Sequence, residues 1–281
     1  MGERSRNDPV NGSLLGQGDS VFEVEDLTVS LQTGGVDRTI LSSLSFTVAN
    51  NEFLSVVGPS GTGKTTLLRA MAGLIPYSGS IKFRGSQLSG PAEGVALVFQ
   101  DYVNSLLRWR TVGRNVSLGV EGKLPRDECD QRVTEALEVV GLSKFKDSYP
   151  WELSGGMQQR VQIARALAMN PQVLLFDEPF GSLDAMTRES LQDELLRVRA
   201  HYQTTCVFIT HDIDEAVYLG DRLVLLAGSP ATIKYQLDIP LSDERNQINT
   251  KESNEFLRLR REVHGEMRRV HRTDQNQASI Y

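Results

Sequence analysis

The sequence predicts an α/β fold: a mostly parallel sheet with flanking helices, an antiparallel β part at its N-terminal end and an inserted α-helical subdomain. Three features predict it. Strand-like runs alternate with helix-like segments after residue 170, β-branched runs fill residues 21–57, and a polar helix-favouring stretch occupies about residues 101–170. Strands that alternate with helices form a mostly parallel sheet with helices on both faces.

Apolar runs rich in β-branched residues predict the strands. They lie at residues 21–24, 41–48, 53–57, 81–83, 95–99, 173–176, 205–209, 222–226 and 233–237, the last after a hairpin turn at residues 228–230. Helical spacing of apolar residues predicts helices at 65–72, 126–140, 186–200, 212–219 and 256–270. A further helix starts after Ser154 and is expected to end near Asn170, because the residue before Pro171 is disfavoured in the helical region.

The composition indicates a globular chain with a polar N-terminal end. Of the 281 residues 40% are hydrophobic and 23% are charged, as is ordinary for a folded domain. Residues 1–20 are predicted to be a disordered tail, residues 21–240 one domain, and residues 241–281 an amphipathic helix and tail. No run approaches the roughly 20 apolar residues that cross a bilayer. The net charge of −6 argues against nucleic acid as the main partner.

Residues 58–66 match the template of a phosphate-binding loop (P-loop), between a predicted strand and a predicted helix. The nine residues are Gly58, Pro59, Ser60, Gly61, Thr62, Gly63, Lys64, Thr65 and Thr66. The glycines let several backbone amides converge on the phosphates of a nucleotide. Lys64 is expected to reach the β- and γ-phosphates, and the Thr65 hydroxyl to ligate Mg²⁺. The sequence therefore predicts a P-loop NTPase core.

Two carboxylates end the apolar strand at residues 173–176. In an open α/β sheet the carboxyl ends of the strands line the ligand crevice. Asp177 is expected to hold Mg²⁺ directly or through water, and Glu178 to polarise the attacking water as a general base. The alternative is that both acids cap a helix, which Pro179 keeps open.

Two further polar side chains follow predicted strands. His211 comes after residues 205–210 and could donate a hydrogen bond to the γ-phosphate while holding Glu178 in place. Gln100 comes after residues 95–99 and could reach Mg²⁺ or the water through its amide oxygen. Each carries little weight alone, because a single polar residue at a strand end is more often structural.

The turn Ser154-Gly155-Gly156 is expected to be a second anion site. Ser154 is a good N-cap residue, and the two glycines leave backbone amides bare at the start of a helix. The chain already has one phosphate-binding loop, so a second site calls for a phosphate held by a neighbouring copy. The alternative is a plain capped helix after a tight turn.

Taken together, six elements resemble the ATP-binding subunit of ABC transporters. They occur in the family's order over about residues 21–240, namely the P-loop, Gln100, the Leu-Ser-Gly-Gly-Met-Gln-Gln-Arg segment at 153–160, and residues 176–179, 182–184 and 210–212. The eight-residue segment is highly specific. Residues 107–112, 177–183, 186–188 and 191–196, with the last helix, are similar to the nitrate/sulfonate/taurine importer branch.

The resemblance implies a head-to-tail pair of ATPase chains, a homodimer, that binds ATP and Mg²⁺ between the two chains. Lys64, Thr65 and Asp177 would act within one chain, with Glu178 as the base and His211 as the γ-phosphate contact. The signature residues would bind the ATP of the partner chain, and Asp184 would lie in a loop at the dimer interface. The signature residues are Ser154, Gly155, Gly156 and Gln158, and the metal ligands are Thr65, Gln100 and Asp177.

The resemblance also implies partners and a location. Transmembrane permease subunits would dock against the segment from Gln100 to Trp109, at the cytoplasmic face of the membrane, where the ATPase is peripheral. An extracytoplasmic solute-binding protein would deliver a small anion such as nitrate, sulfonate, taurine or bicarbonate.

Two other readings stay open. An ABC-type ATPase that acts on nucleic acid would carry long coiled coils between the P-loop and the signature, but residues 100 and 154 are only 54 positions apart (154 − 100). An exporter, or a transporter of a different solute, remains compatible with the chain.

Two positions depart from the family pattern. Leu31 stands where the family usually stacks an aromatic ring on adenine, so adenine is expected to be held by apolar contact or by another aromatic. Arg108 stands where the importer branch has a proline before Trp109, which puts the details of permease docking in doubt.

Overall fold

The computed structural model describes residues 20–181 and 183–278 of the chain. The predicted tail lies outside them except for Ser20, which begins β1. Strands β1 (Ser20–Thr33) and β2 (Val36–Ala49) form a long antiparallel hairpin, and β4 (Ser78–Phe83) and β5 (Ser86–Gln87) extend it at the edge of the sheet. This is the predicted antiparallel N-terminal part.

Five adjacent parallel strands form the centre of the sheet. The full order is β5-β4-β1-β2-β10-β9-β3-β8-β7-β6. The central strands are β3 (Phe53–Val57), β6 (Val95–Val98), β7 (Val173–Asp177), β8 (Thr205–Ile209) and β9 (Arg222–Gly228). Strand β10 (Ala231–Asp238) runs antiparallel to β9, so the predicted late hairpin is confirmed.

Successive side chains of the central strands enter two different apolar cores, because side chains alternate across a sheet. Phe176 and Phe208 lie in the core beneath helices α5, α6 and α7, whereas Leu175 and Val207 lie in the core beneath α1. The helices are α1 (Lys64–Met71), α5 (Gly155–Ala168), α6 (Ala185–Tyr202) and α7 (Ile213–Leu219). Helices therefore cover both faces, as predicted.

Helices α2 (Tyr102–Ser105), α3 (Val112–Val116), α4 (Arg126–Val139) and α5 lie between β6 and β7 in the chain. Helix α4 packs on α5, and the apolar residues Val133 and Leu137 are buried there. The predicted end of α5 is close to the observed one, since Asn170 has left the helix with φ 51°.

The C-terminal segment straps across α6 and α7. Helix α8 (Gln247–Glu252) contacts α6 through Gln247, whose amide donates to Asp193 Oδ1 at 2.7 Å. Helix α9 (Asn254–Ala278) buries Phe256, Leu259 and Val263 and contacts α7. The apolar stripe of α9 was predicted from the sequence, whereas no helix was predicted at the position of α8.

The strand bounds of the N-terminal hairpin were predicted too short. β-bulges interrupt the register between Val24 and Leu27, and Asp26 and Ser43 have positive φ. Bulges break the alternation of apolar and polar side chains from which strands are recognised. Among the helices of the described ranges, none is long and apolar enough to span a membrane.

Candidate functional site

The P-loop wraps the first turn of α1. Gly63 is the N-cap of this helix and adopts the left-handed conformation, with φ 84° and no side-chain cap. A Cβ atom there would lie 2.6 Å from Ile40 Cγ2, so only glycine fits between α1 and β2. The helix start follows the carboxyl end of β3, and the start of a helix favours an anion.

Lys64 is buried inside the loop with 4% of its side chain exposed. Its Nζ donates to Gly58 O at 2.9 Å and to Pro59 O at 3.0 Å, and lies 3.8 Å from Glu178 Oε1. Burial lowers the pKa of Lys64, while Glu178 and Asp177 act in the opposite direction. The ammonium group therefore sits between the loop carbonyls and the two acids of β7.

Thr65 and Asp177 meet as predicted, with the Thr65 hydroxyl donating to Asp177 Oδ1 at 2.9 Å. Burial raises the pKa of Asp177, and the hydrogen bond from Thr65 offsets part of that rise. Within the described residues no cluster of three or more acidic, histidine or cysteine side chains could hold a metal by itself. One hydroxyl and one carboxylate fit Mg²⁺, which takes few protein ligands and completes its octahedron with phosphate oxygens and water.

Glu178 and His211 also meet, with Glu178 Oε2 2.9 Å from His211 Nδ1. Glu178 has φ 44°, an uncommon value for a non-glycine residue, and its backbone amide donates to Ile209 O at 3.0 Å. The side chain of His211 is 58% exposed, whereas that of Glu178 is 20% exposed. The turn after β7 thus points the second carboxylate at the histidine after β8.

A buried hydroxyl fixes the backbone on either side of His211. Thr210 Oγ1 donates to Glu215 Oε2 at 2.6 Å and accepts from the Asp212 amide at 3.0 Å. Burial raises the pKa of Glu215, and Thr210 and Arg188 act to lower it. Arg188 lies with its Nε 3.6 Å from Glu215 Oε1 and its Nη1 3.5 Å from Asp212 Oδ2.

Gln100 follows β6, and Leu31 lies on β1. Gln100 is exposed after β6, and its Nε2 lies 3.9 Å from the position of a Cβ on Gly181, just past Glu178. Leu31 pairs with Arg38 across the β1–β2 hairpin and packs, partly buried, on the core beneath α1. Ile40, two residues after Arg38 on β2, lies close to Gly63 of the P-loop.

The signature turn forms the start of α5. Ser154 is its N-cap and accepts from the Met157 amide at 3.4 Å. A Cβ on Gly156 would lie 2.4 Å from Thr187 Cγ2, so glycine allows α5 and α6 to approach. The Gln158 side chain donates to Pro150 O at 3.0 Å and to Leu153 O at 3.2 Å, which places it beneath the turn.

Asp184 is the N-cap of α6, and its Oδ1 accepts from the Thr187 amide at 3.0 Å. Hydrogen bonding to Thr187 lowers the pKa of Asp184. Ser182, predicted in the same loop, lies outside the described residues. Thr187 therefore contacts both Asp184 and the signature glycine Gly156.

The predicted residues fall into two groups in the single chain. Lys64, Thr65, Asp177, Glu178 and His211 meet at one end of the sheet. Gly156 and Asp184 both contact Thr187, and Ser154 caps the helix that contains Gly156; no hydrogen bond or ion pair between described residues links these three to the P-loop. The roles proposed for these residues stay predictions.

Sequence reasoning missed the residues that support the site, of which Thr210 and Glu215 are buried and Arg188 is partly exposed. The missed residues are Arg188, Thr210 and Glu215. Thr210 lay inside the recognised Thr-His-Asp motif, and Glu215 lies one helical turn after His211, so an acid buried at that spacing was the available signal.

The family model of the ABC transporter matches residues 41–181. An uncharacterised ABC transporter ATP-binding protein of Methanocaldococcus jannaschii is 45% identical over 86% of this chain and 89% of its own length. The aliphatic sulfonates import ATP-binding protein of Bacillus subtilis is 41% identical over 84% of this chain and 90% of its own. The nitrate import ATP-binding protein of Synechococcus elongatus is 42% identical over 87% of this chain, which spans 37% of that relative.

Solved structures agree with these relatives. The cbiO1 protein of Clostridium perfringens, part of the transporter complex cbiONQ, superposes with TM-score 0.71 at 30% identity over 78% of this chain and 89% of its own. A dimeric post-hydrolysis ATP-binding cassette bound to ADP and phosphate gives 0.68 at 28% identity over 79% of this chain and 100% of its own. The predicted fold and enzyme class are confirmed: the chain belongs to the ABC transporter family, as an ATP-binding subunit that hydrolyses ATP.

Proposed function

We propose that this chain energises the membrane uptake of a small anion, as the ATPase subunit of an importer. The observation that carries the proposal is the joining of Glu178 to His211 at 2.9 Å beside the Thr65–Asp177 pair, in a chain homologous to nitrate, bicarbonate and sulfonate import proteins. Nitrate, sulfonate, taurine and bicarbonate form the proposed solute class. The ATPase does not contact the solute, so selectivity belongs to its partners.

In the proposed reaction Lys64 leaves the carbonyls of Gly58 and Pro59 to bind the β- and γ-phosphates. Thr65 and Asp177, with Gln100, would hold Mg²⁺, which neutralises charge on the phosphate oxygens. Glu178 accepts a proton from the attacking water, as a base placed off the metal. His211 orients the Glu178 carboxylate and donates toward the γ-phosphate, and its exposed ring is free to do so.

The proposal includes a second copy of the chain. The helix start at Ser154, Gly155 and Gly156 offers amides that suit a phosphate. Gln158 supports this turn from beneath, through Pro150 and Leu153. The ATP held by one copy would thus be closed by the signature turn and the Asp184 loop of the other.

The proposed membrane partner is a permease that docks near Trp109. That side chain is 74% exposed at the start of the helical segment. An exposed aromatic of this size suits a protein interface. We place the chain at the cytoplasmic face of the membrane as a peripheral subunit, with an extracytoplasmic solute-binding protein as the third partner and no role for nucleic acid.

The change Glu178→Gln tests the proposed catalysis. Removing the base should lower kcat by about 10²-fold or more, as loss of a general base does. ATP binding should persist, because Lys64, Thr65 and Asp177 are untouched, and the trapped nucleotide should stabilise a dimer. Phosphate release and sedimentation with ATP measure the two effects.

The matched control is Glu189→Gln, an exposed acid on α6 that pairs with Lys251. Hydrolysis by Glu178→Gln at the parent rate would contradict the assignment of the base, and an ATP-bound monomer would contradict the shared site.

A further inference from the structure

We propose that Arg188, Glu215 and Thr210 form a relay of positioning residues that sets His211 against Glu178 according to the position of the Leu183–Asp184 turn. The inference deepens the proposed function and rests on its shared ATP site. The relay is a continuous set of contacts from the turn before α6 to the histidine after β8.

The need for a relay comes from the exposure of His211. Its ring is 58% exposed, so the backbone that carries it decides where Nδ1 lies. That backbone is pinned on both sides of the histidine. The amide of Thr210 donates to Val56 O at 3.2 Å, and the Thr210 hydroxyl accepts from the Asp212 amide at 3.0 Å, bridging the histidine.

The Thr210 hydroxyl has one proton, and it uses this proton in a hydrogen bond to the Glu215 carboxylate. The distance from Thr210 Oγ1 to Glu215 Oε2 is 2.6 Å, and both residues are buried. Because that proton points at the carboxylate, the hydroxyl is left as an acceptor for the Asp212 amide. Glu215 therefore determines how the turn around His211 is held.

Arg188 connects this carboxylate to the turn before α6. Its Nη2 donates to Leu183 O at 3.2 Å, while Nε lies 3.6 Å from Glu215 Oε1 and Nη1 lies 3.5 Å from Asp212 Oδ2. The guanidinium thus lies between the Leu183 carbonyl and the two acids that follow His211, Asp212 and Glu215.

The Arg188 guanidinium does not make close hydrogen bonds with either acid. Both ion-pair distances exceed the 2.7–2.9 Å of a charge-assisted hydrogen bond. The Nε atom is buried and has no hydrogen-bond partner among the described residues. A small shift of the Leu183–Asp184 turn, which carries the interface residue Asp184, would close the guanidinium on Glu215 and move the turn at His211 with it.

The test is a double-mutant cycle on ATP hydrolysis with Arg188→Gln and Thr210→Val. Each change should lower kcat by about tenfold, because a displaced histidine costs rate. KM for ATP should change less than twofold, since no residue at the nucleotide is altered. If both act through one relay, the double variant loses no more than the worse single variant; additive losses would overturn the relay.

Two matched controls exclude a merely structural role. Thr210→Ser keeps the hydroxyl and should keep kcat near that of the parent. Arg260→Gln removes an arginine that pairs with Asp214 on α7 at 2.8 Å but touches neither Leu183 nor Glu215, and should leave kcat unchanged. A loss of kcat in either control equal to that in the relay variants would contradict the proposal.

The stage at which the relay acts is tested with Arg188→Gln combined with Glu178→Gln. This variant should still form an ATP-dependent dimer by sedimentation, because the relay serves hydrolysis after the copies have met. Loss of the dimer would assign Arg188 to assembly and overturn the relay. An inactive parent chain would instead count against the proposed function, so the two failures are distinguishable.

Discussion

The helix starts of α1 and α5, which we propose bind the same chemical group, are supported in opposite ways. The start of α1 has no side-chain cap, a left-handed glycine at Gly63, and a buried lysine held between loop carbonyls and two acids. The start of α5 is capped by Ser154 and packs on α6 through Gly156. Among the described side chains around the start of α5 there is no lysine and neither of the two acids at the end of β7, Asp177 and Glu178.

In the proposed function, the start of α1 binds the ATP of its own chain, whereas the start of α5 acts only on the ATP of the partner chain. Lys64 and Thr65 on α1 lie beside Asp177 and Glu178 at the end of β7, and His211 after β8 contacts Glu178. At α5 only backbone amides and a hydroxyl are available, which can bind a phosphate but cannot cleave it. Substitutions at the start of α1 should therefore change nucleotide binding, whereas substitutions at the start of α5 should change turnover alone.

The change Lys64→Ala should have the largest effect. It removes the charge between Asp177 and Glu178, and we expect ATP affinity to fall by about 10²-fold, since loss of a buried charged contact costs about 3 kcal/mol. Equilibrium binding of a fluorescent ATP analogue measures it. Lys82→Ala, which removes a partly exposed lysine paired with Glu23 and Glu25, is the control. Unchanged ATP affinity in Lys64→Ala would contradict the proposal that the start of α1, unlike that of α5, binds the chain's own nucleotide.

The change Gly156→Ala should come next, and should lower kcat by about tenfold or more by blocking close approach of a phosphate. Affinity for ATP in the isolated chain should stay the same. The added methyl also meets Thr187 Cγ2 at 2.4 Å, so stability will fall too.

Combining Gly156→Ala with Thr187→Ser separates the two effects, because serine lacks the clashing methyl group. Thermal unfolding of this double variant should return toward the parent while turnover stays low. If both thermal stability and turnover recovered, Gly156 would serve packing only, and the proposed second phosphate site would be contradicted.

The change Leu31→Tyr should have the smallest effect. A ring at this place on β1 could stack on adenine beside the P-loop, with a gain in ATP affinity of about fivefold, since aromatic stacking contributes about 1 kcal/mol. Leu31→Met is the control of similar size without a ring. No gain in affinity over Leu31→Met would count against adenine lying at this hairpin.

The side chains that carry chemistry were predictable because each follows a strand in a motif. The P-loop glycines matched a spacing template, whereas Asp177, Glu178 and His211 were named from their places after predicted strands and from the order of the family's motifs. The contacts of Thr65 with Asp177 and of Glu178 with His211 lie at the shared end of parallel strands. The pairing of Arg188 with Glu215 could not be predicted, because it is a contact between α6 and α7 that no local sequence pattern encodes.

The central strands were predictable for a similar reason, since strands buried on both faces read as continuous apolar runs. The hairpin of β1 and β2 was less so, because its bulges near Asp26 and Ser43 shift the alternation. Helix α8 was missed, since its six residues, five of them polar, are held by Asn246 at its start and by contacts to α6 rather than by an apolar face.

The contact of Thr187 with both Gly156 and Asp184 has a consequence for mixed pairs of chains. In the proposed dimer, the residues that act on the partner's ATP form one connected group, separate from the residues that bind the chain's own ATP. Suppose that one chain is damaged at the P-loop and the other at the signature turn. Their dimer would contain one site with both defects and one site with neither. Two alleles that are each inactive alone could therefore complement one another.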